Sequence, residues 1–249
     1  MPPRGQPLDV LVESVVELGE LGSAMSDADV DLLMERISPM FRQLLTAQGF
    51  PTRKVQAVVT KFRDAGRRTP PLEATSSIVP GRPQSGADGN RTDRWLVPTG
   101  HRYYANKRDA QLVEIRYYLQ ALSMLGAPAV PSTRAATAFI WLLGHELKPG
   151  EYKDPIMLRD IGFGAFVELP RRVQSGHYVP LARGGRHEPE NTFLMLARSN
   201  SLQSDLTFDE FLALVDDILA RQAAAGIFPD GRELPAHALL EEASGIVAE

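Results

Sequence analysis

Cysteine is absent from the 249-residue chain, and aromatic residues make up only 7% of it. Without thiols there is no disulfide, zinc ribbon, thiolate nucleophile or iron–sulfur cluster, and this composition is typical of a cytoplasmic protein. The sequence also lacks a run of 18 apolar residues that could span a membrane, and its first residues contain no signal-peptide core. We therefore expect a cytoplasmic protein that does not associate with membranes.

The charge is unevenly distributed along the chain. The net charge is −4, but residues 51–110 carry 12 basic and 5 acidic side chains. In contrast, residues 1–50 carry 3 basic and 8 acidic side chains, and residues 201–249 carry 2 and 10. Because binding to a polyanion depends on local potential, the basic middle permits nucleic-acid binding despite the negative total.

Apolar periodicity and helix-boundary residues divide the chain into segments. Helices are predicted over residues 7–21, from the N-cap Ser26 until Pro39 interrupts it, over residues 51–67 and over residues 107–125. The Pro- and Gly-rich stretch at 69–93 is interpreted as a linker. The predicted organisation is a helical N-terminal region (1–68), this linker, a basic and helical connecting region (94–149), a nuclease domain (150–222) and a C-terminal tail or helix (223–249).

The segment 207–222 predicts an amphipathic helix. Thr207 and Glu210 have the spacing of a capping box, in which each side chain accepts a hydrogen bond from the other residue's backbone. The apolar residues that follow form one stripe, and we expect that stripe to pack on the unit before it.

Residues 172–207 carry the most informative pattern. Their local order predicts a strand, a long loop with glycine and proline, a second strand near Phe193 to Leu196, and a helix. Gly184 and Gly185 allow a turn that a residue with a Cβ would resist.

This stretch resembles the HNH endonucleases. Their ββα-metal motif runs Asp-His-x-x-Pro, a Gly-Gly loop, His-x-x-x-Asn and a final His or Asn. The corresponding residues here are Gly176-His177-x-x-Pro180, Arg183-Gly184-Gly185, His187-x-x-x-Asn191 and Asn200.

The resemblance implies a mainly helical α+β protein with a C-terminal ββα-metal (HNH) nuclease unit and an N-terminal helical region. It implies a metal-dependent DNA endonuclease that leaves 5′-phosphate and 3′-hydroxyl ends. The context of a small cytoplasmic nuclease with extra domains, rather than any residue, suggests a role in restriction or phage defence. By resemblance, His177 is the general base, Asn191 braces the loop that aims His177, and Asn200 gives its side-chain oxygen to Mg²⁺ or Mn²⁺. His187 is expected to shape the loop rather than to catalyse.

One position departs from the family pattern. Most HNH enzymes have a metal-binding Asp before the first His, whereas this chain has Gly176. Either Asn200 alone anchors a mostly hydrated ion and activity survives, or the domain is inert and only binds DNA or a partner. Asp160 and Asp205 are the carboxylates that could replace the missing ligand if the fold brought one close.

Basic residues around the motif are candidates for phosphate contacts, because the arginine fork can donate two hydrogen bonds. The predicted nucleic-acid-binding residues are Arg172, Arg183, Arg186, Lys107 and Arg108. Double-stranded DNA is the expected substrate, with RNA or single strands as the alternative. A double-strand cut from a single site needs either two copies of the protein or two successive visits, and a homodimer is the first of these alternatives.

Overall fold

A computed structural model describes residues 6–71 and 91–224 of the chain. The longer helices are α1 (Leu8–Glu20), α2 (Asp27–Ala47), α3 (Thr52–Gly66), α4 (Lys107–Leu122) and α9 (Phe208–Ala224). Shorter helices are α5 (Ala135–Ala138), α6 (Ile140–Leu143), α7 (Phe163–Glu168) and α8 (Ala197–Gln203). The strands β1 (Val173–His177) and β2 (Thr192–Leu196) form a two-stranded antiparallel sheet. The predicted mainly helical α+β class is therefore confirmed.

Helix α2 begins where the sequence predicts and ends later. Ser26 forms a capping box with Asp29, but the helix continues through Pro39 to Ala47, so the predicted interruption is wrong. Proline inside a helix removes a hydrogen bond and crowds the preceding turn. Here Met40 and Phe41, directly after the proline, are fully buried, and their packing holds the helical path.

Helix α4 runs through the middle of the molecule. The sequence predicts this helix with one apolar face, but nearly every side of it is buried against α2, α3 and β2. Its buried polar residues are therefore bonded: Glu114 pairs with Arg67, and the Gln120 side chain accepts the backbone N–H of Leu194 at 3.0 Å.

The strand, loop, strand and helix order predicted for the segment after Arg172 is confirmed. In the antiparallel register, Gly176 lies opposite Phe193 and His177 opposite Thr192. Helix α8 follows β2 directly and packs against both strands.

A buried carboxylate fixes the corner between β2 and α8. Asp154 is fully buried and accepts hydrogen bonds from the backbone N–H of Leu196 at 2.7 Å and the Ser199 hydroxyl at 2.8 Å. It also accepts the N–H groups of Ile156 and Met157. This carboxylate therefore ties the first turn of α8 to the loop before α7.

Helix α9 has the predicted start but not the predicted packing. Glu210 accepts the Thr207 N–H at 2.9 Å, and Thr207 accepts the Glu210 N–H at 3.2 Å. Phe211 is buried, but the exposed fractions of Leu212, Ile218 and Leu219 are 47%, 47% and 48%. The expectation that this stripe packs on the ββα unit is therefore wrong, because α9 runs off the unit after its first turn.

One hydrophobic cluster extends from Leu11 in α1 to Leu194 in β2. The predicted separate N-terminal region and nuclease domain therefore share a core, although the boundaries themselves stay predictions. Most of the predicted linker and tail, at 72–90 and 225–249, lies outside the described residues. Within the described ranges, every helix is too short or too polar to cross a membrane.

Candidate active site

His177 ends β1 beside an open cavity of about 230 Å³. The cavity is lined by Arg102, Tyr103, His177, Pro180, Leu181, Ala182, Gln203 and Ser204. The side chain of Gln203 donates to the backbone carbonyl of His177 at 2.8 Å, which joins the end of α8 to the end of β1. The imidazole is half-buried and has access to the cavity.

Asn191 braces the loop between the two strands. Its Oδ1 accepts the Val179 N–H at 2.8 Å, while its Nδ2 donates to the carbonyls of Val179 at 3.0 Å and Arg186 at 2.7 Å. These bonds fix the chain directly after His177. The bracing role expected for Asn191 is therefore geometrically available.

Gly184 and Gly185 allow the loop between the strands to close on Asn191, each for a different reason. Gly184 has a φ of +86°, a left-handed conformation that favours glycine. A Cβ on Gly185 would lie 1.9 Å from the carbonyl oxygen of Val179. The loop can close on Asn191 only because both positions lack a side chain.

A chain of contacts runs from His177 into the helical core. Nε2 of His177 lies 3.2 Å from Nδ1 of His187, and Nε2 of His187 lies 2.7 Å from the carbonyl oxygen of Gly66. His187 is only 1% exposed. The same carbonyl accepts a hydrogen bond from Nε of buried Arg94 at 3.1 Å.

Burial and one arginine set the charge of the two histidines. Burial lowers the pKa of His177 to about 4, and the Arg94 guanidinium adds to the lowering. Burial also holds the pKa of His187 well below its usual value, again with a contribution from Arg94. Both rings are therefore neutral near pH 7, and an unprotonated imidazole is the form that can accept a proton.

Asn200 lies on α8 but does not contact the imidazole. Its Nδ2 donates to Oε1 of Gln174 at 2.7 Å, and its Oδ1 has no hydrogen-bond partner within the described part of the chain. Because neighbouring side chains alternate across a strand, Gln174 and His177 leave β1 on opposite faces. Asn200 is thus held at β1 and is not among the lining residues of the cavity, although Gln203, three residues further along the same helix, is.

The donor atoms fit a divalent ion only weakly. Magnesium and manganese take oxygen ligands, and Oδ1 of Asn200 offers one. No carboxylate of residues 6–71 or 91–224 lines the cavity, Asp160 pairs with Lys153 at 3.5 Å, and Asp205 is exposed after α8. In the described ranges, no three His, Asp or Glu side chains come together as a metal site.

The predicted DNA-contacting cations fall into two groups. Lys107, Arg108 and Arg183 form ion pairs, at 2.6 Å with Asp31, 3.1 Å with Asp27 and 2.9 Å with Glu210. Arg172 and Arg186 are exposed, and neither guanidinium has an ion-pair or hydrogen-bond partner among the residues that the structure describes. The second group is therefore open to an outside anion.

Sequence reasoning missed two residues of this site. Arg94 lies in a segment whose sequence has no regular apolar pattern. Its side chain is only 4% exposed, and it donates hydrogen bonds to the carbonyls of Gly66, Ala65 and Tyr103. Gln203 had no motif to mark it. Arg102 and Tyr103 did carry a signal, an aromatic ring among basic groups, and Arg102 lies 4.6 Å above the Tyr103 ring.

Comparison with known proteins adds little to this geometry. No model of a known protein family matches the sequence, and no curated protein matches it. A solved structure of a type II restriction endonuclease matches with a TM-score of 0.41 and 20% identity, over 48% of this chain. This chain spans about half, 54%, of that protein. A TM-score this low does not support an argument about fold or activity.

Gly176, at the position where the HNH pattern has Asp, is enclosed by side chains of the second strand. A Cβ on Gly176 would lie 2.2 Å from Sδ of Met195 and 2.8 Å from Cε2 of Phe193. Both neighbouring side chains are buried. The space that a metal-binding Asp would occupy is therefore filled with apolar atoms.

We expect Gly176→Ala to lower the free energy of unfolding by about 1 to 3 kcal/mol, because overpacking displaces Met195 or Phe193. Gly164→Ala is the matched control: Gly164 is exposed in α7 and nothing lies within 4 Å of its Cβ position. That change should be neutral or stabilising by up to about 1 kcal/mol. Urea unfolding measures both, and equal stability of the two variants would contradict the packing at Gly176.

Proposed function

We propose that the chain is a metal-dependent endonuclease of the HNH type that hydrolyses phosphodiester bonds in double-stranded DNA. The observation that carries the proposal is the neutral, half-buried imidazole of His177 at the edge of an open cavity, in a ββα unit whose loop is closed by Asn191. A neutral imidazole can take a proton from a water molecule as that water attacks phosphorus. His177 is the proposed general base, and Asn191 is a positioning residue.

Asn200 is the proposed side-chain ligand of Mg²⁺ or Mn²⁺. Its Oδ1 has no protein partner among the described residues, and Gln174 holds the other end of its amide. Because Mg²⁺ keeps several of its own waters and also takes phosphate oxygens of a substrate, it needs few protein ligands. When bound, the ion offsets negative charge on the phosphate and on the leaving oxygen. Without a carboxylate, the free protein should bind this ion weakly.

The charges around the cavity favour an anion. Arg102 lines it, Arg94 lies behind the histidines, and no acidic side chain is among the lining residues. Exposed Arg172 lies just before β1, and exposed Arg186 lies in the loop between the strands. We propose that these cations bind the DNA backbone. We also propose that the DNA cleavage serves restriction or phage defence.

The alternative from another class is a DNA-binding or interaction protein with an inert HNH unit. Two observations favour it: Met195 and Phe193 fill the space beside Gly176, and the Asn200 side chain bonds to Gln174, whose side chain leaves β1 on the face opposite to that of His177. The two proposals differ in whether any phosphodiester bond is cut, so a cleavage assay separates them.

A homodimer through α9 is also proposed. The exposed stripe on α9 has no cover within the described residues. If two copies of α9 cross antiparallel at Val215, Leu212 of one copy faces Ile218 of the other. Arg221 then lies near Asp209 of the other copy, so opposite charges meet at both ends. Two copies would also supply one site for each DNA strand.

Plasmid cleavage with Mg²⁺ tests the catalytic proposal. We expect His177→Ala to lower the rate by about 10²- to 10⁴-fold, since it removes the base. Asn200→Ala should lower it by about 10- to 100-fold, as for groups that support a metal. A chelator should stop the wild type.

His145→Ala is the control for this assay, because His145 is a half-buried histidine that does not line the cavity. It should cut as the wild type does. Equal cutting by all variants would indicate a contaminant or another site, and no cutting by any protein would favour the binding module.

The salt dependence of DNA affinity tests which cations face phosphates. Arg172→Gln with Arg186→Gln should reduce the slope of log K against log salt by about one unit for each lost contact. Lys107→Gln with Arg108→Gln should change it less, since Asp31 and Asp27 already neutralise these groups. If the changes at Lys107 and Arg108 reduced the salt slope more than those at Arg172 and Arg186, the DNA would instead lie along α4.

Sedimentation velocity over a range of protein concentrations tests the dimer. The wild type should associate, and Leu212→Glu with Ile218→Glu should give a folded monomer, because both positions are exposed in the single chain. Leu96→Glu is the control, since Leu96 is 68% exposed outside α9. A wild type that stays monomeric, or a dimer that survives the α9 changes, would contradict the proposal.

A further inference from the structure

The contact chain from His177 to Gly66 determines where one proton lies. A backbone carbonyl oxygen only accepts hydrogen bonds, so the 2.7 Å contact with Gly66 requires a hydrogen on Nε2 of His187. His187 is neutral near pH 7, since burial holds its pKa well below the usual value. A neutral imidazole carries one ring hydrogen, so Nδ1 of His187 is an acceptor.

The same reasoning extends to His177. Its Nε2 lies 3.2 Å from the acceptor Nδ1 of His187, so the hydrogen bond between the rings needs a hydrogen on Nε2 of His177. The opposite tautomer would bring two lone pairs face to face at this distance. Nδ1 of His177 is left without a hydrogen, and no described residue donates to it.

We infer that His187 is a positioning residue that keeps the proton of His177 on Nε2 and so leaves the lone pair of Nδ1 as the base. The inference rests on the proposed nuclease function for its catalytic meaning. The tautomer itself follows from the contacts alone.

The Gly66 carbonyl, where this series of contacts ends, lies in the helical core. Gly66 ends α3, and a Cβ there would lie 2.6 Å from Cβ of Glu114 in α4. The close approach of α3 and α4 fixes the carbonyl, and Arg94 holds it from the other side at 3.1 Å. His187 is therefore oriented by the helical part of the molecule.

The proton balance of the step is simple. Nδ1 of His177 takes a proton from water as the water oxygen bonds to phosphorus, the bond from phosphorus to the 3′ oxygen breaks, and the leaving oxygen takes a proton from solvent. The imidazolium then carries hydrogens on both nitrogens, and its Nε2–H still donates to His187. His187 takes no proton in this step, and the imidazolium returns its own to solvent.

Nitrogen NMR of the ¹⁵N-histidine-labelled full chain, without metal or DNA, tests the tautomer directly. Long-range ¹H–¹⁵N correlations distinguish a protonated from an unprotonated ring nitrogen. We expect His177 to be protonated on Nε2 and unprotonated on Nδ1. A hydrogen on Nδ1 of His177 in the wild type would overturn the inference.

Two variants test the role of His187. In His187→Gln, the amide oxygen can accept from His177 and the amide nitrogen can donate to Gly66, so the tautomer and most of the activity should persist. His187→Leu can do neither, and should lower kcat about 10- to 100-fold with KM for DNA unchanged. It should also mix the tautomers of His177.

The outcomes separate the two proposals. Equal kcat in the Gln and Leu variants, with both folded, would overturn the positioning role. If His187→Leu does not fold, the comparison of His187→Gln with the wild type and the wild-type spectrum still decide. A wild type with the inferred tautomer but no cleavage under any metal would overturn the nuclease function and leave the contact chain intact.

Discussion

The carbonyl of Gly66 is the point on which the site depends. This one carbonyl oxygen accepts a hydrogen bond from His187 in the loop between the strands and another from Arg94 in the segment before α4. It is placed by the close contact of α3 with α4, which only a glycine at position 66 allows. The ββα unit is therefore oriented by the helical core it packs on. The same two parts of the molecule share one hydrophobic cluster, which extends from α1 to β2, and α4 between them is buried on nearly all sides.

The electrostatic character of the site follows from the same arrangement. Arg94 has no carboxylate partner among the described residues; three backbone carbonyls hold it, so its charge reaches the two histidines. The cavity beside His177 contains Arg102 and no acidic side chain. Such a cavity attracts a phosphate more readily than a free cation.

Local structure was predictable from the sequence wherever short-range rules decide it. The N-cap at Ser26, the capping box at Thr207, the two strands with their glycine loop, and α4 follow from such rules. The continuation of α2 through Pro39 and the exposed stripe of α9 were not predictable, because packing partners decide them. The resemblance singled out His177, at the end of β1, and Asn191, in the loop, whereas Arg94 and Gln203 act through contacts with distant segments that no local pattern marks. The position of Asn200 relative to His177 was not predictable either, because it depends on which face of β1 each side chain contacts.

The most direct test of the central claim is a crystal structure with Mn²⁺ and a non-cleavable phosphorothioate DNA duplex. The account predicts a backbone phosphate in the His177 cavity with a water molecule hydrogen-bonded to Nδ1 of His177. It also predicts anomalous scattering from manganese beside Oδ1 of Asn200. DNA bound elsewhere, with no phosphate in the cavity and no metal at Asn200, would contradict the account.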